Sequence, residues 1–122
     1  MTDARKGLGA LGERLAAQKL EQQGLTILAR NWRCPVGELD IVAQENDVVA
    51  VVEVKTRRGR GAGIPEQGIT ESKRRKLCEL AQYYIEATGW EGNVRIDIVG
   101  VELDQTGRLL RVSYWREAVD CW

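Results

Sequence analysis

The 122-residue sequence contains no histidine and no phenylalanine, and only three cysteines. Without histidine, the chain cannot form Ser-His-Asp or Cys-His nucleophile pairs, histidine-ligated zinc sites or His-Asn nuclease centres. Any acid–base or metal chemistry must therefore use carboxylates, lysine, tyrosine or cysteine. The cysteines (Cys34, Cys78 and Cys121) are odd in number and form no CxxC pair, so we predict neither a zinc knuckle nor a disulfide framework.

Long hydrophobic runs are also lacking. The longest strongly apolar run is Val48–Val52, five residues, whereas a helix needs about 20 to span a bilayer. The N-terminus leads into glycines and a polar helix rather than an apolar signal segment. We therefore expect a cytoplasmic protein without a membrane partner.

The chain lacks net charge, because 18 Lys and Arg balance 18 Asp and Glu. The balance conceals two blocks of opposite sign. Residues 34–54 hold five acidic and no basic groups, and residues 55–76 hold eight basic and two acidic groups. Local patches decide the electrostatic footprint of a protein, so the neutral total leaves a polyanionic partner open.

The length and a hydrophobic content of 43% fit a single domain over residues 1–122, with residues 1–7 and 116–122 as loose tails. Periodicity and turn residues predict seven elements in the order α-β-β-β-α-β-β. The expected fold class is α/β, a central mixed sheet flanked by helices. The predicted helices cover Gly7–Gln23 and the segment from the N-cap Thr70 to just before Gly89, and the predicted strands cover Leu25–Arg33, Val36–Ala43, Val48–Thr56, Val94–Glu102 and Leu109–Trp115.

The run Gly7-Leu-Gly9-Ala-Leu-Gly12 matches the dinucleotide-binding pattern GxGxxG. That motif requires a preceding strand and a helix N-terminus that receives the pyrophosphate. Only six polar residues precede it here, which leaves no room for a strand. We interpret the run as an N-terminal arm and the start of a helix.

Two carboxylates are predicted to meet on the hairpin formed by the second and third strands. If Asn46-Asp47 is a two-residue loop, Glu45 pairs with Val48 and Asp40 lies directly opposite Glu53. Their side chains would then leave the same face, with Cβ atoms about 5 Å apart. This register holds only if no bulge interrupts the hairpin.

Two close carboxylates repel unless a cation lies between them, and their oxygens suit Mg²⁺ or Mn²⁺. Lys55 follows Glu53 on the same face and would hold a water or a phosphate oxygen. Such a site supports metal-assisted phosphodiester hydrolysis without histidine. The alternative is an exposed strand face with a weak ion pair, which is the usual meaning of E-x-K.

Basic residues follow this strand pair. Arg57, Arg58 and Arg60 lie in a glycine-rich loop, and Lys73 and Arg74 lie in the first turn of the second helix, where the helix dipole disfavours cations. The spacing places Lys73 on the inward face of the helix. These residues predict a phosphate-binding surface without sequence readout, and a solvated basic helix end is the alternative.

A set of motifs spread along the chain carries a family resemblance: Gly12-Glu13, Ala29-Arg30-Asn31 with Arg33, Gly37–Val42, Val52–Arg57, Gly63–Glu66, Lys73 and Arg95-Ile96-Asp97. With these motifs the sequence resembles the YraN-like family over nearly its whole length. That family is similar to the PD-(D/E)xK, or restriction-endonuclease-like, superfamily, in an arrangement like that of archaeal Holliday-junction resolvases. Leu39 stands where the superfamily's name has proline.

The resemblance implies a restriction-endonuclease-like core. Asp40 and Glu53 would be metal ligands, and Lys55 would orient or activate the attacking water. Glu13 would be an acid of the first helix that binds or supports the metal. Arg30 and Arg33 join the residues expected to bind nucleic acid.

Several further residues keep two interpretations. Glu38 is either a supporting group of the site or a solvent-facing residue, and Asp97 either pairs with a buried arginine or lines the site. The tryptophans are either base-stacking or, more often for large aromatics, core residues. Cys34 is best interpreted as a structural thiol. The tryptophans are Trp32, Trp90, Trp115 and Trp122.

The first hypothesis is a Mg²⁺- or Mn²⁺-dependent nuclease that hydrolyses phosphodiester bonds in DNA, with branched or junction DNA as one substrate class. The second is a non-catalytic nucleic-acid-binding module that acts with a partner protein. The acids discriminate between them, because carboxylates beside a phosphate repel it unless a metal is present. The oligomeric state stays open, with a homodimer as one option.

Overall fold

The computed structural model describes residues 4–59 and 69–121, with side chains from residue 7 onward. These residues form two helices and five strands in the predicted order. The α/β fold class is therefore confirmed. The elements are α1 (Ala4–Gln22), β1 (Thr26–Cys34), β2 (Gly37–Glu45), β3 (Val48–Arg58), α2 (Glu71–Thr88), β4 (Asn93–Leu103) and β5 (Leu109–Val119).

The five strands form one mixed sheet in the order β1-β2-β3-β4-β5. Neighbouring strands are antiparallel except for β3 and β4, which are parallel. A parallel pair needs a crossover connection, and the chain between β3 and β4 contains α2. In β3 every side chain from Val49 to Glu53 is buried, as expected for a central strand covered on both faces.

Each helix covers one face of this sheet. The stripe of Leu8, Leu11 and Leu15 packs on the cluster under α1, together with the buried Ala16 and Leu20. Leu77, Leu80, Ala81 and Tyr84 of α2 are buried in the cluster on the opposite face, as the helical spacing predicts. The two cores thus lie on either side of the sheet.

The ends of α2 follow the predicted capping chemistry. The Thr70 hydroxyl accepts a hydrogen bond from the backbone N–H of Lys73 at 3.1 Å, which satisfies one unpaired donor of the first turn. Gly89 ends the helix with φ of +70°, and its N–H donates to the carbonyl of Ile85. These caps fix where Lys73 lies relative to the sheet.

Regular elements extend into the segments predicted as tails. Helix α1 begins at Ala4 and includes Gly7–Gly12. Strand β5 continues to Val119, which is buried against the sheet. Residues 1–3 and Trp122 lie outside the described residues.

The prediction of no disulfide is wrong. Cys78 of α2 and Cys121, just beyond β5, form a disulfide across 43 residues of sequence with Cα atoms 5.6 Å apart. The pairing depends on how β5 returns past α2, which the spacing of the cysteines does not reveal. Cys34 is a free, half-buried thiol that packs against the cluster under α2.

No helix in the described ranges combines the length and the hydropathy needed to cross a membrane.

Candidate metal and nucleic-acid site

The β2–β3 hairpin has the predicted register over most of its length. Pairing runs from Glu45 and Val48 to Ile41 and Val52. The ladder ends there, and the Asp40 Oδ2 atom accepts a hydrogen bond from the backbone N–H of Val54 at 2.8 Å. The expected direct pairing of Asp40 with Glu53 is therefore absent from the ladder.

Side-chain alternation breaks at the same point. Leu39 and Val42 both pack in the cluster under α2, whereas Ile41 packs under α1. In the neighbouring strand β1, the residues on either side of Asn31 pair with Ile41 and Leu39, so Asn31 lies at the level of Asp40. The φ of Asn31 is +54°. This left-handed residue interrupts the regular pleat, so the prediction that Asp40 and Glu53 share one face is wrong.

Asp40 faces α1. It lines a cavity of about 310 Å³ with Leu8, Gly9, Glu13, Val54 and Thr56. One carboxylate oxygen each of Glu13, Glu38 and Asp40 lie within 4.8 Å of one another. The predicted acids Glu13 and Asp40 are thus brought together, and Glu38 joins them.

Close packing of α1 on β3 allows this approach. A Cβ atom built on Gly12 would lie 1.8 Å from Thr56 Oγ1 and 3.0 Å from Thr56 Cβ. Because any larger residue at position 12 would push the helix outward, Gly12 lets the next residue, Glu13, reach the acidic cluster.

The environment disfavours a negative charge on Asp40. Burial raises the pKa of Asp40 to about 7, and the neighbouring charges of Glu53 and Glu13 act in the same direction. The hydrogen bond from Val54 and the positive charge of Lys73 oppose this shift. A nearby cation would therefore stabilise the ionised form of Asp40.

Glu53 forms an ion pair with Lys73 of α2. Its side chain is 11% exposed, and its Oε1 lies 3.1 Å from the Nζ of Lys73. Lys73 therefore points toward the sheet, as its helical spacing predicts. Lys55 is half-buried two residues farther along β3, where its backbone is in register with Gly100 of β4.

Two of the predicted phosphate-binding arginines are held by the protein itself. Arg58 donates from Nε and Nη2 to the carbonyl of Gln105, at 3.1 and 2.8 Å. Arg74 donates to both carboxylate oxygens of Glu71 and to the carbonyl of Asp120. These contacts anchor the β4–β5 turn and the end of the chain.

The remaining predicted arginines are Arg30, Arg33, Arg57 and Arg60. Arg33 is 3.2 Å from Glu38 at the β1–β2 turn, which places a cation beside the acidic cluster. Arg30 is exposed on β1, and Arg57 is half-buried near the end of β3. Arg60 lies outside the described residues.

Asp97 forms a pair with the half-buried Arg95, the first of its two interpretations. Its side chain is fully buried, and both oxygens accept from Arg95 Nε at 3.1 Å. Arg95 also donates to Glu45 at 2.7 Å. Glu45 in turn accepts from Arg116, whose hydrogen bond is the main cause that lowers the pKa of Glu45 to about 2. This network ties β4, β5 and the β2–β3 hairpin together.

The described tryptophans have structural contacts. Trp32 stacks edge-to-face on Tyr84 with ring centroids 5.2 Å apart. Trp90 donates to the carbonyl of Asn93 at 3.0 Å, and Trp115 packs against the cluster under α2. They therefore follow the core interpretation.

The donor set of the acidic cluster fits a hard divalent cation. All three nearby groups offer carboxylate oxygens, which Mg²⁺ and Mn²⁺ prefer over nitrogen or sulfur ligands. The half-buried Asp40 has one oxygen committed to Val54 and one remaining. A cation here would offset the mutual repulsion of these groups.

Together, the fold and the site define an α/β protein whose mixed sheet carries a carboxylate cluster beneath its first helix. The chain belongs to the uncharacterised protein family UPF0102, whose model matches residues 12–101. The YraN-like family predicted from the sequence is thereby confirmed.

Two relatives illustrate the match. A UPF0102 protein of Pelotomaculum thermopropionicum is 41% identical over 119 residues, covering 97% of this chain and 99% of the relative. UPF0102 protein SCO5602 of Streptomyces coelicolor is 48% identical over 108 residues, covering 86% and 83%. Among solved structures, Pyrococcus furiosus SfsA in complex with Ca²⁺ has a TM-score of 0.37 and 16% identity. The alignment covers 96% of this chain and 65% of that protein's length.

Proposed function

We propose that this protein is a metal-dependent nuclease that hydrolyses phosphodiester bonds in DNA. The observation that carries the proposal is the convergence of Glu13, Glu38 and Asp40 beside β3, the strand that bears Glu53 and Lys55. Acids alone would repel a phosphate, so their close approach supports a role together with a cation. Branched or junction DNA is the substrate class that we would test first.

Each residue has a role in this proposal. Glu13, Glu38 and Asp40 would hold Mg²⁺ or Mn²⁺. Glu53, on the opposite face of the sheet, would support the bound ion through its charge, which already acts on Asp40. The bound ion would supply Lewis-acid activation of a phosphate oxygen or of water. Lys55 would donate a hydrogen bond that orients the attacking water or a phosphate oxygen.

Cations around the cluster would bind the nucleic-acid backbone. Arg33 lies beside Glu38, and Lys73 reaches the sheet from α2. Arg30 and Arg57 remain available to a bound strand in this proposal. Arg58 and Arg74 would contribute less, because each is already bound to a carbonyl or a carboxylate. Such contacts give affinity without sequence readout.

A second candidate is a non-catalytic nucleic-acid-binding module that serves a partner protein. One observation favours it: Lys73 neutralises Glu53 without any added cation. The two candidates differ in what Mg²⁺ does. The nuclease requires it, and the binding module does not.

Calorimetric titration with Mg²⁺ and Mn²⁺ is the first test. We expect the wild type to bind one of these ions and Asp40→Asn to lose that binding. Asp47→Asn is the matched control, because Asp47 is an exposed acid in the turn at the far end of the same hairpin. Equal binding by all three proteins would refute the assigned site.

A cleavage assay then distinguishes the two functions. Single-stranded, duplex, flapped and four-way-junction DNA would be incubated with the protein and Mg²⁺ or Mn²⁺. We expect cleavage of at least one substrate, lost in Asp40→Asn and in Lys55→Ala but kept in Asp47→Asn. DNA binding without mutant-sensitive cleavage would support the binding module instead. Sedimentation analysis of the same samples would report whether the protein is a monomer or a homodimer.

A further inference from the structure

Lys73 occupies an unfavourable place for a cation. It lies in the first turn of α2, and its backbone N–H is already used by the Thr70 cap. The positive end of the helix dipole disfavours an ammonium group here. A lysine in the first turn could extend into water, but its Nζ lies 3.1 Å from Glu53 Oε1. The attraction of Glu53 therefore outweighs the dipole.

Glu53 needs this partner. It is 9% exposed in the middle of the sheet, next to four consecutive buried residues of β3. A buried carboxylate without a counter-ion is strongly disfavoured. Lys73 supplies the charge that a metal ion would supply, from the side of the sheet opposite to Glu13 and Asp40.

The lysine itself retains access to solvent. Its side chain is 39% exposed, and it lines a surface depression with Thr70, Ser72 and Arg75. A flexible four-carbon stem in such a position can turn from Glu53 toward the surface without any movement of the helix. Its ammonium group is also close enough to Asp40 to lower that residue's pKa.

We propose that Lys73 is an exchangeable counter-ion of the site: it neutralises Glu53 while no cation is bound, and it transfers to a nucleic-acid phosphate when one binds. The proposal rests on the proposed function, because it requires a cation site at the acidic cluster. It makes Lys73 a positioning residue that couples cation binding to phosphate binding.

The coupling has a definite thermodynamic sign. A divalent cation at the acidic cluster would repel the Lys73 ammonium, whose charge already acts on Asp40, and would weaken its attraction to Glu53. The released ammonium then favours a phosphate, so each ligand tightens the binding of the other by the same factor. An ion pair with only a structural role would not connect the two equilibria in this way.

The test compares Lys73→Gln with Lys76→Gln, which removes a cation from the next turn of the same helix. Glutamine keeps a hydrogen-bond donor for Glu53 and suits a helix, so the fold should survive. We expect Mg²⁺ affinity, measured by calorimetry, to rise about ten-fold in Lys73→Gln, because a nearby positive charge is removed. Lys76→Gln should stay within about two-fold of the wild type, since the ion pair with Glu53 is formed by Lys73.

The second measurement is the affinity for a labelled single-stranded oligonucleotide, in EDTA and in Ca²⁺, which uses the same oxygen ligands. The informative quantity is the oligonucleotide affinity in Ca²⁺ divided by the affinity in EDTA. We expect Lys73→Gln to lower this ratio about three-fold or more, because one phosphate contact no longer depends on the cation. Lys76→Gln should leave the ratio unchanged, whatever it does to affinity. Lys73→Arg, which keeps the charge, should have a ratio close to that of the wild type.

The outcomes separate this proposal from the nuclease proposal. If Mg²⁺ binds the wild type and Asp40→Asn abolishes that binding, but Lys73→Gln leaves the ratio unchanged, only the counter-ion proposal is refuted. If no cation binds the wild type, both proposals are refuted. If Lys73→Gln does not fold, Lys73→Arg still tests the proposal. A fall in the affinity ratio despite the retained charge would contradict the transfer of Lys73 from Glu53 to a phosphate.

Discussion

Replacing Asp40 with asparagine removes one negative charge from the acidic cluster and keeps an oxygen that can accept the hydrogen bond from Val54. The substitution therefore isolates the electrostatic cost of this carboxylate. Burial, together with the charges of Glu53 and Glu13, raises the pKa of Asp40 from 3.8 to about 7. In the absence of a cation, we expect Asp40→Asn to be more stable than the wild type at pH 8.

The magnitude follows from this shift. A carboxyl group with a raised pKa in the fold ionises more easily in the unfolded chain, so folding stability falls as the pH rises from about 4 to about 7. A shift of roughly 3 units corresponds to about 4 kcal/mol when the cost is complete. About half of it develops between pH 5 and pH 7, and almost none is incurred below about pH 3.

Urea denaturation of both proteins at pH 5 and pH 8, in EDTA, measures the effect. The stability difference between Asp40→Asn and the wild type should grow by about 1–3 kcal/mol over this interval, which allows for relaxation of the neighbouring acids. Other titrating groups are common to both proteins and cancel. Asp47→Asn, in the exposed turn, should show no such growth.

Mg²⁺ should reduce this stability difference. At 100 times its dissociation constant, it stabilises the protein that binds it by about 2.7 kcal/mol. The wild type should gain this stability, and Asp40→Asn should not. If the stability difference does not grow between pH 5 and pH 8, Asp40 does not carry an unfavourable charge in the fold, and the reasoning is refuted.

Three further predictions concern the surrounding structure. Gly12→Ala should lower the free energy of unfolding by about 1–3 kcal/mol and weaken Mg²⁺ binding, because its methyl group would overlap a β3 side chain. Thermal melting and calorimetry measure the two effects. Gly7→Ala is the control and should be neutral or stabilising, because there is open space around Gly7. Reduction of the Cys78–Cys121 bond should cost about 4 kcal/mol for a 43-residue loop, and equal melting temperatures with and without dithiothreitol would contradict this. Asp97→Ala should cost about 1–3 kcal/mol in urea denaturation, because Arg95 keeps only Glu45 as a carboxylate partner and the Glu117 N–H loses its acceptor, and a loss below about 1 kcal/mol would argue against the network.

The local structure was largely predictable. The hairpin register from Glu45 to Ile41 follows from a two-residue loop, because the loop length fixes which residues pair. The caps of α2 follow from Thr70 and Gly89, since short-range hydrogen bonds and a left-handed residue decide where a helix begins and ends. The family was also recognisable from residues spread along the chain.

The candidate site was predictable in part. Asp40 and Glu13 do approach each other, but Glu38 replaces Glu53 in the cluster. The signal for Glu38 was its place two residues before Asp40, which also fits a solvent-facing position. The side to which Asp40 points depends on the positive φ of Asn31 in the neighbouring strand, and strand periodicity alone assumes a regular pleat.

By itself, the sequence determined the kind of chemistry and the order of the elements. With no histidine, the site must rely on oxygen ligands and lysine, and hydrophobic periodicity within each segment defines helices and strands. Only the tertiary structure decided which polar groups lie together: Glu53 with Lys73, Arg74 with the Asp120 carbonyl, and Glu13 with Asp40. These pairs join different elements, and their distances depend on how closely helices and strands pack rather than on sequence spacing.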